Sequence, residues 1–429
     1  MLKLLHRFKD PDKFYGLADS GMLSLFRFGC GITMAQFAGV EGFATYTLLL
    51  MTMVIFHLLP SALFIIPFLN LGGGLSSQLK FALTRWAWRG ILITALLFAV
   101  LSATAFLVLP NLKLTTLEST GFITAAIVSL FHQYIRAQLQ AAFKQRIALL
   151  CDILTITIHI LSALCIWHFG ATVLAAFFWG TTISASCGSL AKVFIGKING
   201  KEEDKDDQST KELLRKASHS GRAMLVGSLA NSTCTRVQPF AIGLIASMQQ
   251  VAQYGAIWTL VGPLRMLSVA LTSILRPRLS KYYNTQQTKR FHSNFRHALM
   301  LVAAFGFAAI VCSFFLGPLV MRKLFGEDFE VASHLLPLSL LYATIDASTS
   351  CQIVALQIGH SNGPIITTKL RIQAALLSLS LLVPFTYYWG LTGTISGLLI
   401  AELYYAVAAT HIQLSTKPSA APIKAGNTA

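Results

Sequence analysis

Long apolar runs separated by short polar stretches extend along most of the chain. Each run has about twenty residues, the length of a helix that crosses the hydrocarbon core of a bilayer. The pattern therefore predicts an all-α polytopic membrane protein with about twelve transmembrane helices. The predicted spans lie at 20–39, 43–69, 90–110, 119–140, 147–168, 171–195, 222–247, 254–276, 298–320, 331–358, 370–389 and 391–413.

The longest polar stretch divides these runs into two sets of six. It has the sequence GKINGKEEDKDDQSTKELLRKASHS and occupies residues 196–220. We interpret it as a solvated cytoplasmic linker that contains a short helix at 209–217. The predicted organisation is therefore an N-terminal cytoplasmic segment, a six-helix bundle, the linker, a second six-helix bundle and a cytoplasmic tail, at 1–19, 20–195, 196–220, 221–413 and 414–429.

Composition and charge agree with a membrane protein. The 429 residues are 54% hydrophobic and only 12% charged, with 34 Lys and Arg against 17 Asp and Glu. If both termini are cytoplasmic, nearly all basic residues outside the spans lie on the cytoplasmic side, and the opposite side carries only Lys113, Arg322 and Lys323. This bias follows the positive-inside rule. A nucleic-acid-binding protein would carry such a basic excess on a solvated domain, which this sequence lacks.

The sequence offers no recognisable catalytic set. It has no Gly-rich phosphate loop, no paired carboxylates on a polar loop and no His cluster. The seven cysteines fall within apolar runs and lack metal-ligand spacing. We therefore expect no enzyme activity, no metal and no cofactor.

Basic residues at the cytoplasmic ends of spans, which include Arg136, Lys192 and Arg371, are assigned to the cytoplasmic side. Three arginines remain inside the membrane: Arg27, Arg236 and Arg265. A charge in mid-span costs at least about 2.5–3.5 kcal/mol unless it faces protein or water. The arginines either line a polar cavity, where guanidinium groups suit bidentate phosphate binding, or form ion pairs. Arg27 lies near a helix end and could instead reach the membrane surface. The carboxylates available for ion pairs are Asp152, Asp346 and Glu402.

The two halves contain a weak internal repeat. The stretch GFATYTLLLMTMVIFH, which ends at His57, aligns with QVAQYGAIWTLVGPLR, which ends at Arg265. The same alignment places Arg27 and Arg236 at nearly equal distances upstream. The repeat predicts that the first two helices of each half carry basic groups at matching depths.

Five other polar side chains within the spans are site candidates. Gln36 and Gln238 could bind sugar hydroxyls or join helices. His57 could titrate in the physiological range or donate a hydrogen bond between helices. Asp346 and Glu402 could couple transport to H⁺ or Na⁺, or serve as counter-ions for an arginine.

Three stretches resemble bacterial polysaccharide flippases. They are VAQYGAIWTLVGPLRMLSVALTSILRPRLS at 251–280, LFGEDFEVASHLLPLSLL at 324–341 and WGLTGTISGLLIAEL at 389–403. In order and spacing they are similar to the Wzx-type branch of the multidrug/oligosaccharidyl-lipid/polysaccharide (MOP) exporter superfamily. The segment 68–90 shows no motif of that family.

The resemblance implies two pseudo-symmetric six-helix bundles of the MATE/MOP type that work by alternating access. The implied substrate is an undecaprenyl-diphosphate-linked oligosaccharide, moved from the inner to the outer leaflet of the bacterial inner membrane for O-antigen or capsule biosynthesis. Arg27, Arg236 and Arg265 would then contribute to a cationic cavity. Polymerase and chain-length proteins of the same pathway are further partner candidates.

Two other functions stay open from the sequence. One is a cation-coupled multidrug antiporter of the same superfamily, which would need acidic cavity residues in the first half. The other is a membrane glycan polymerase or glycosyltransferase, which would need a large outward loop with catalytic residues. The basic excess disfavours the antiporter, and the short outward loops disfavour the enzyme.

Overall fold

The computed structural model describes residues 11–71, 77–108, 114–142, 144–196, 207–360 and 363–415. These residues are almost entirely helical, and none of them lies in a strand. The chain divides into two compact units, Met1–Leu229 and Ala230–Ala429. The prediction of an all-α polytopic membrane protein is confirmed.

Unit 1 begins with a long helix that contains a break. This helix has non-helical backbone at Gly39, with φ 68° and ψ −178°, a conformation adopted essentially by glycine alone. The break separates the helix into two pieces that match the predicted spans at 20–39 and 43–69. In chain order the elements are α1 (Pro11–Pro60), a π-helical turn (Ser61–Ile65), α2 (Ile66–Leu71), α3 (Ser77–Val108), α4 (Thr116–Ala141), α5 (Gln145–His168), α6 (Val173–Gly196) and most of α7 (Asp207–Arg236).

Unit 2 ends with a helix broken in the same way. Its backbone departs from helical geometry at Gly390, with φ 55° and ψ −134°. The break lies where the sequence predicts one span to end at residue 389 and the next to begin at 391. After the end of α7, the elements are α8 (Gln238–Ile245), α9 (Met248–Asn284), α10 (Thr288–Phe325), a 3₁₀-helix (Glu327–Leu335), α11 (Leu336–Gly359) and α12 (Gly363–Ser415).

Within the described residues, six helical stretches are long and apolar enough to cross a membrane. Two of them, Gly21–Leu69 and Ile365–Gln413, contain a glycine break and therefore hold two predicted spans each. The others are Phe81–Thr104, Gln145–His168, Val173–Phe194 and Thr288–Phe325. The remaining predicted spans correspond to α4, to α7 with α8, to α9 and to α11, all of which are helical.

The polar linker is shorter than the sequence suggests. Residues 207–220 are helical and continue without interruption into the next predicted span, while 197–206 lie outside the described residues. Ala217 is fully buried in the core of unit 1, with Leu213 and Leu214 packed against the same cluster. The start of α7 is therefore held by the first bundle, and the boundary between the units lies at residue 229 within α7.

Each unit has its own apolar core. In unit 1 the core includes Phe68, Leu83 and Tyr134, which are fully buried. In unit 2 it includes Leu279 and Val302. Large apolar side chains also cover the outside of several helices, among them α5 and α10, as expected of surfaces that face lipid.

Candidate functional site

Arg27 lies in the first half of α1 with its side chain exposed. The preceding residue, Phe26, packs edge-on against the ring of His159, with 5.0 Å between centroids. Because successive residues turn by about 100° around a helix, Arg27 projects away from that contact. Among the described residues, no hydrogen bond or ion pair involves the Arg27 guanidinium.

Arg265 lies in the middle of α9 and has two neighbours. Its Nε is 3.9 Å from Oδ2 of Asp346 on α11, and its Cζ is 5.1 Å from the ring centroid of Trp258. The side chain of Arg265 is 27% exposed, against 17% for Asp346. Arg265 is thus accessible and has an acidic partner.

Arg236 and Gln238 lie at the end of α7 and the start of α8. Arg236 is half-buried. Gln238 is fully buried and donates hydrogen bonds to the backbone oxygens of Thr233 and Cys234, the former at 3.4 Å. The Gln238 amide therefore serves the junction between the two helices.

His57 and Gln36 occupy contrasting surroundings on α1. His57 is buried, with its Nε2 2.8 Å from the Ala126 oxygen and 3.2 Å from Ser129 Oγ, and its Nδ1 3.0 Å from Gln133 Nε2. These contacts join α1 to α4. Gln36 is exposed. Of the two polar candidates, the exposed Gln36 is the accessible one.

A buried charged cluster that the sequence did not predict lies in unit 1. Asp19 on α1, Asp152 on α5 and Lys192 on α6 are each 0% exposed. Arg136 on α4 pairs with both carboxylates, through Nη2 to Asp19 and through Nε to Asp152 Oδ2 at 2.9 Å. Lys192 donates a hydrogen bond to Asp152 Oδ1. Two cations thus balance two carboxylates.

His132 on α4 completes this cluster. Its Nε2 lies 2.9 Å from Lys192 Nζ and 3.4 Å from Asp152 Oδ1. Its Nδ1 lies 3.3 Å from the Ala185 oxygen. The imidazole ring thus contacts both members of the Lys192–Asp152 ion pair and the backbone of α6.

Unit 2 contains a second buried cluster, centred on Arg371 at the start of α12. Arg371 Nη1 donates to Glu402 Oε2 at 2.7 Å, and Nε donates to Asn231 Oδ1 at 3.0 Å. Its Cζ lies 4.9 Å from the Tyr405 ring centroid. Nη2 also donates to Asn231 Oδ1, and Asp346 Oδ1 lies 3.9 Å from the same nitrogen.

The two clusters have opposite polarity. If the six predicted spans of each half are counted from its N-terminal end, each cluster contains one charged residue from the fourth, one from the fifth and one from the sixth span. In unit 1 these residues are Arg136, Asp152 and Lys192, and in unit 2 they are Asp346, Arg371 and Glu402. The sign is reversed at all three segments, although the ion-paired arrangement is kept.

From the sequence, Arg136, Lys192 and Arg371 were assigned to the cytoplasmic side, and Asp19 fell in the predicted N-terminal cytoplasmic segment. Asp152, one of the carboxylates available to the arginines inside the membrane, pairs with Arg136 and Lys192. A usable signal was present, since Lys192 and Arg371 each adjoin an apolar run on a helix whose partner helix carries an opposite charge.

No family model matches the sequence, and neither does any curated protein. Solved structures do match. An inward-facing multidrug resistance MATE family transporter of the MOP superfamily gives a TM-score of 0.69 at 15% identity, covering 94% of this chain and 100% of that one. A Vibrio cholerae MATE transporter gives 0.60 at 15% identity, with coverage of 95% and 96%. A MOP superfamily transporter from Pyrococcus furiosus, described as having a binding pocket of reverse polarity, gives 0.57 at 15% identity, with 93% of each chain covered.

These likenesses establish the fold. The chain is an all-α polytopic membrane protein with the architecture of MATE transporters of the MOP superfamily. The predicted MATE/MOP-like fold class is therefore confirmed. Identities near 15% show the fold alone, so the substrate must be argued from the side chains.

Proposed function

We propose that this chain is a Wzx-type flippase, which moves an undecaprenyl-diphosphate-linked oligosaccharide from the inner to the outer leaflet of a bacterial cytoplasmic membrane. The observation that carries the proposal is Arg27, an exposed cation on an apolar helix. It has no ion pair among the described residues. A transporter is the class of protein that the fold supports.

Charge accounting within unit 1 supports an anionic substrate. In the buried cluster, the carboxylates Asp19 and Asp152 are balanced by Arg136 and Lys192. Glu118, a third buried carboxylate of unit 1, accepts hydrogen bonds from Thr115 and Thr172. Arg27 is left outside this balance. A guanidinium group matches two phosphate oxygens with parallel hydrogen bonds, so a diphosphate supplies the missing negative charge with good geometry.

Unit 2 contributes its own candidates for the same substrate. Arg265 is accessible, and Trp258 lies 5.1 Å from its guanidinium carbon, which leaves the terminal nitrogens available for phosphate oxygens. Arg236 remains a candidate by its position. Gln36 of unit 1 is an exposed amide suited to sugar hydroxyls. The lipid tail of the transported oligosaccharide would stay in the bilayer.

The energy source is part of the proposal. A charge that crosses a potential of 100 mV gains or loses about 2.3 kcal/mol, so the membrane potential alone can drive outward movement of a diphosphate. Coupling to H⁺ or Na⁺ through Asp346 or Glu402 would add to it. We further propose cytoplasmic termini, and polymerase and chain-length proteins of the same pathway as partners.

The test is Arg27→Gln in cells that lack the native gene and make one lipid-linked oligosaccharide. We expect export to fall at least about tenfold, because a charge-assisted hydrogen bond contributes roughly 1.5–3 kcal/mol. The lipid-linked intermediate should accumulate on the inner leaflet. Arg85→Gln is the matched control, since Arg85 is an exposed arginine of the same unit. Export at the wild-type level with equal membrane abundance of Arg27→Gln would remove the main support.

A cation-coupled multidrug antiporter is the second candidate. The buried carboxylates Asp19 and Asp152 favour it, because unit 1 of such a transporter needs acidic groups. In this chain both are already paired with Arg136 or Lys192, which disfavours binding of a cationic drug. Efflux of a cationic dye, lost in Asp19→Asn but kept in Arg27→Gln, would favour the antiporter.

A further inference from the structure

Asp346 lies between two arginines of unit 2 and engages each with a different oxygen. Oδ2 is 3.9 Å from Arg265 Nε, and Oδ1 is 3.9 Å from Arg371 Nη2. A direct hydrogen bond between such groups has a length of about 2.7–3.2 Å. The carboxylate is therefore attracted to both guanidinium groups and hydrogen-bonded to neither of them.

The two arginines differ in how fully they are occupied. Arg371 donates to Glu402 at 2.7 Å and to Asn231 at 3.0 Å, and its carbon lies 4.9 Å from the Tyr405 ring. Among the described residues, Arg265 has Asp346 as its ion-pair partner and the face of Trp258 as its other contact. Arg371 is thus a fixed centre, whereas Arg265 can exchange its anion.

Accessibility follows the same order. The exposed fraction of the side chain falls from 27% at Arg265 to 17% at Asp346, 10% at Arg371 and 3% at Glu402. An anion that arrives from outside this cluster therefore meets Arg265 first. Asp346 is the next charge inward.

The contacts of Trp258 fix the spacing between Arg265 and Asp346. Trp258 and Arg265 are seven residues apart on α9 and so share one helix face. On α11, the Tyr342 ring contacts Trp258 edge-on, with 5.5 Å between centroids, and Tyr342 lies one turn before Asp346. The aromatic contact thus sets the separation of the charged pair.

We propose that Asp346 is a resident counter-ion of Arg265, which the diphosphate of the substrate displaces. The displaced carboxylate then moves from Arg265 to Arg371 and closes a hydrogen bond there. Arg371 already ties both halves of α12 to α7 through Glu402 and Asn231. Arrival of the anion at α9 is therefore transmitted to α11, α12 and α7. The identity of the displacing group rests on the flippase function proposed above.

The displacement of Asp346 by the diphosphate predicts that two variants change the affinity for an isoprenyl diphosphate in opposite directions. In Asp346→Asn the competing charge is gone, so an isoprenyl diphosphate should bind about three- to tenfold more tightly, while transport turnover falls because no carboxylate remains to close on Arg371. In Asp346→Glu the longer side chain reaches Arg265, so binding should weaken. A purely structural role would weaken binding in both variants or in neither.

The measurement is the dissociation constant of farnesyl diphosphate for the purified full-length protein in lipid nanodiscs. Arg265→Gln should lose affinity, and the double variant Asp346→Asn with Arg265→Gln should lose the gain seen in Asp346→Asn. Glu330→Gln is the matched control, because Glu330 also lies 3.9 Å from an arginine, Arg322, but both groups are exposed. It should bind like the wild type.

The outcomes separate this inference from the proposed function. Failure of the wild-type protein to bind farnesyl diphosphate would contradict the flippase proposal itself. Binding by the wild type that is not tightened in Asp346→Asn, or that is unchanged in Arg265→Gln, would overturn the counter-ion role and leave the proposed function standing. If Asp346→Asn does not fold, a Kd for Asp346→Glu equal to or below the wild-type value overturns the role by itself.

Discussion

Replacing Arg371 with glutamine removes the cation at the centre of the unit 2 cluster. Two carboxylates, Glu402 and Asp346, are then left to repel each other. The guanidinium donates to Glu402 at 2.7 Å, and the exposed fractions of the two side chains are only 10% and 3%. Breaking a buried ion pair by removal of one partner costs about 3–5 kcal/mol, because an uncompensated charge stays behind. We therefore expect the unfolding equilibrium constant to rise by roughly two to three and a half orders of magnitude.

The magnitude agrees with a direct electrostatic count. Two unit charges 2.7 Å apart attract by about 6 kcal/mol at an effective dielectric constant of about 20. Part of this attraction offsets the desolvation of both groups in the native protein. The hydrogen bond from Arg371 Nε to Asn231 is lost as well, which contributes about a further 1 kcal/mol.

The change in the free energy of unfolding is measured by denaturant titration of the purified chain in detergent, with tryptophan fluorescence as the signal. The double variant Arg371→Gln with Glu402→Gln should recover roughly 1–3 kcal/mol, since it removes the stranded charge. The control is Arg322→Gln, which breaks an ion pair with Glu330 that is half-exposed at both ends and contributes less than about 1 kcal/mol. Equal destabilisation by Arg371→Gln and Arg322→Gln would refute the reasoning.

The same assay checks two further expectations. Lys192→Met should destabilise unit 1 by about 3–5 kcal/mol, and adding Asp152→Asn should restore part of the loss; no recovery would show that the ammonium does not balance that carboxylate. Gly39→Ala should cost about 1–3 kcal/mol from backbone strain alone. Gly390→Ala should cost more, because the added carbon would lie 2.7 Å from Gln250 Oε1 and displace the hydrogen bond that this oxygen accepts from the Leu391 N–H. Gly29→Ala, in open helical surroundings, should not destabilise, and equal losses at all three glycines would contradict the strain argument.

The helices of this fold are largely readable from the sequence, because a bilayer requires apolar runs of about twenty residues. Even the breaks in the two longest helices fall where adjacent spans were predicted to meet, near Gly39 and at Gly390. At the start of α7, the short helix predicted at 209–217 is present, but its continuity with the next span and its burial against unit 1 were not predicted. Its polar composition is typical of a solvated linker, but Leu213, Leu214 and Ala217 form an apolar stripe that packs on unit 1.

The candidate site was less predictable than the fold. Arg265, Asp346 and Glu402 stand out because each lies well inside an apolar run. Lys192 and Arg371 do not, since they lie toward the ends of their helices, where a basic residue ordinarily reaches water. Only the contacts of α6 with α5, and of the two halves of α12, reveal that these cations are buried.

The reversed polarity of the two clusters has a consequence for how the protein is made. Because Arg136 and Lys192 pair with Asp19 and Asp152, the buried cluster of the first half can be neutralised before residues beyond 229 are synthesised. The second half does the same with Arg265 and Arg371. Each ion pair of the two clusters joins residues of one unit, so each cluster can form as soon as its own bundle has been inserted into the membrane.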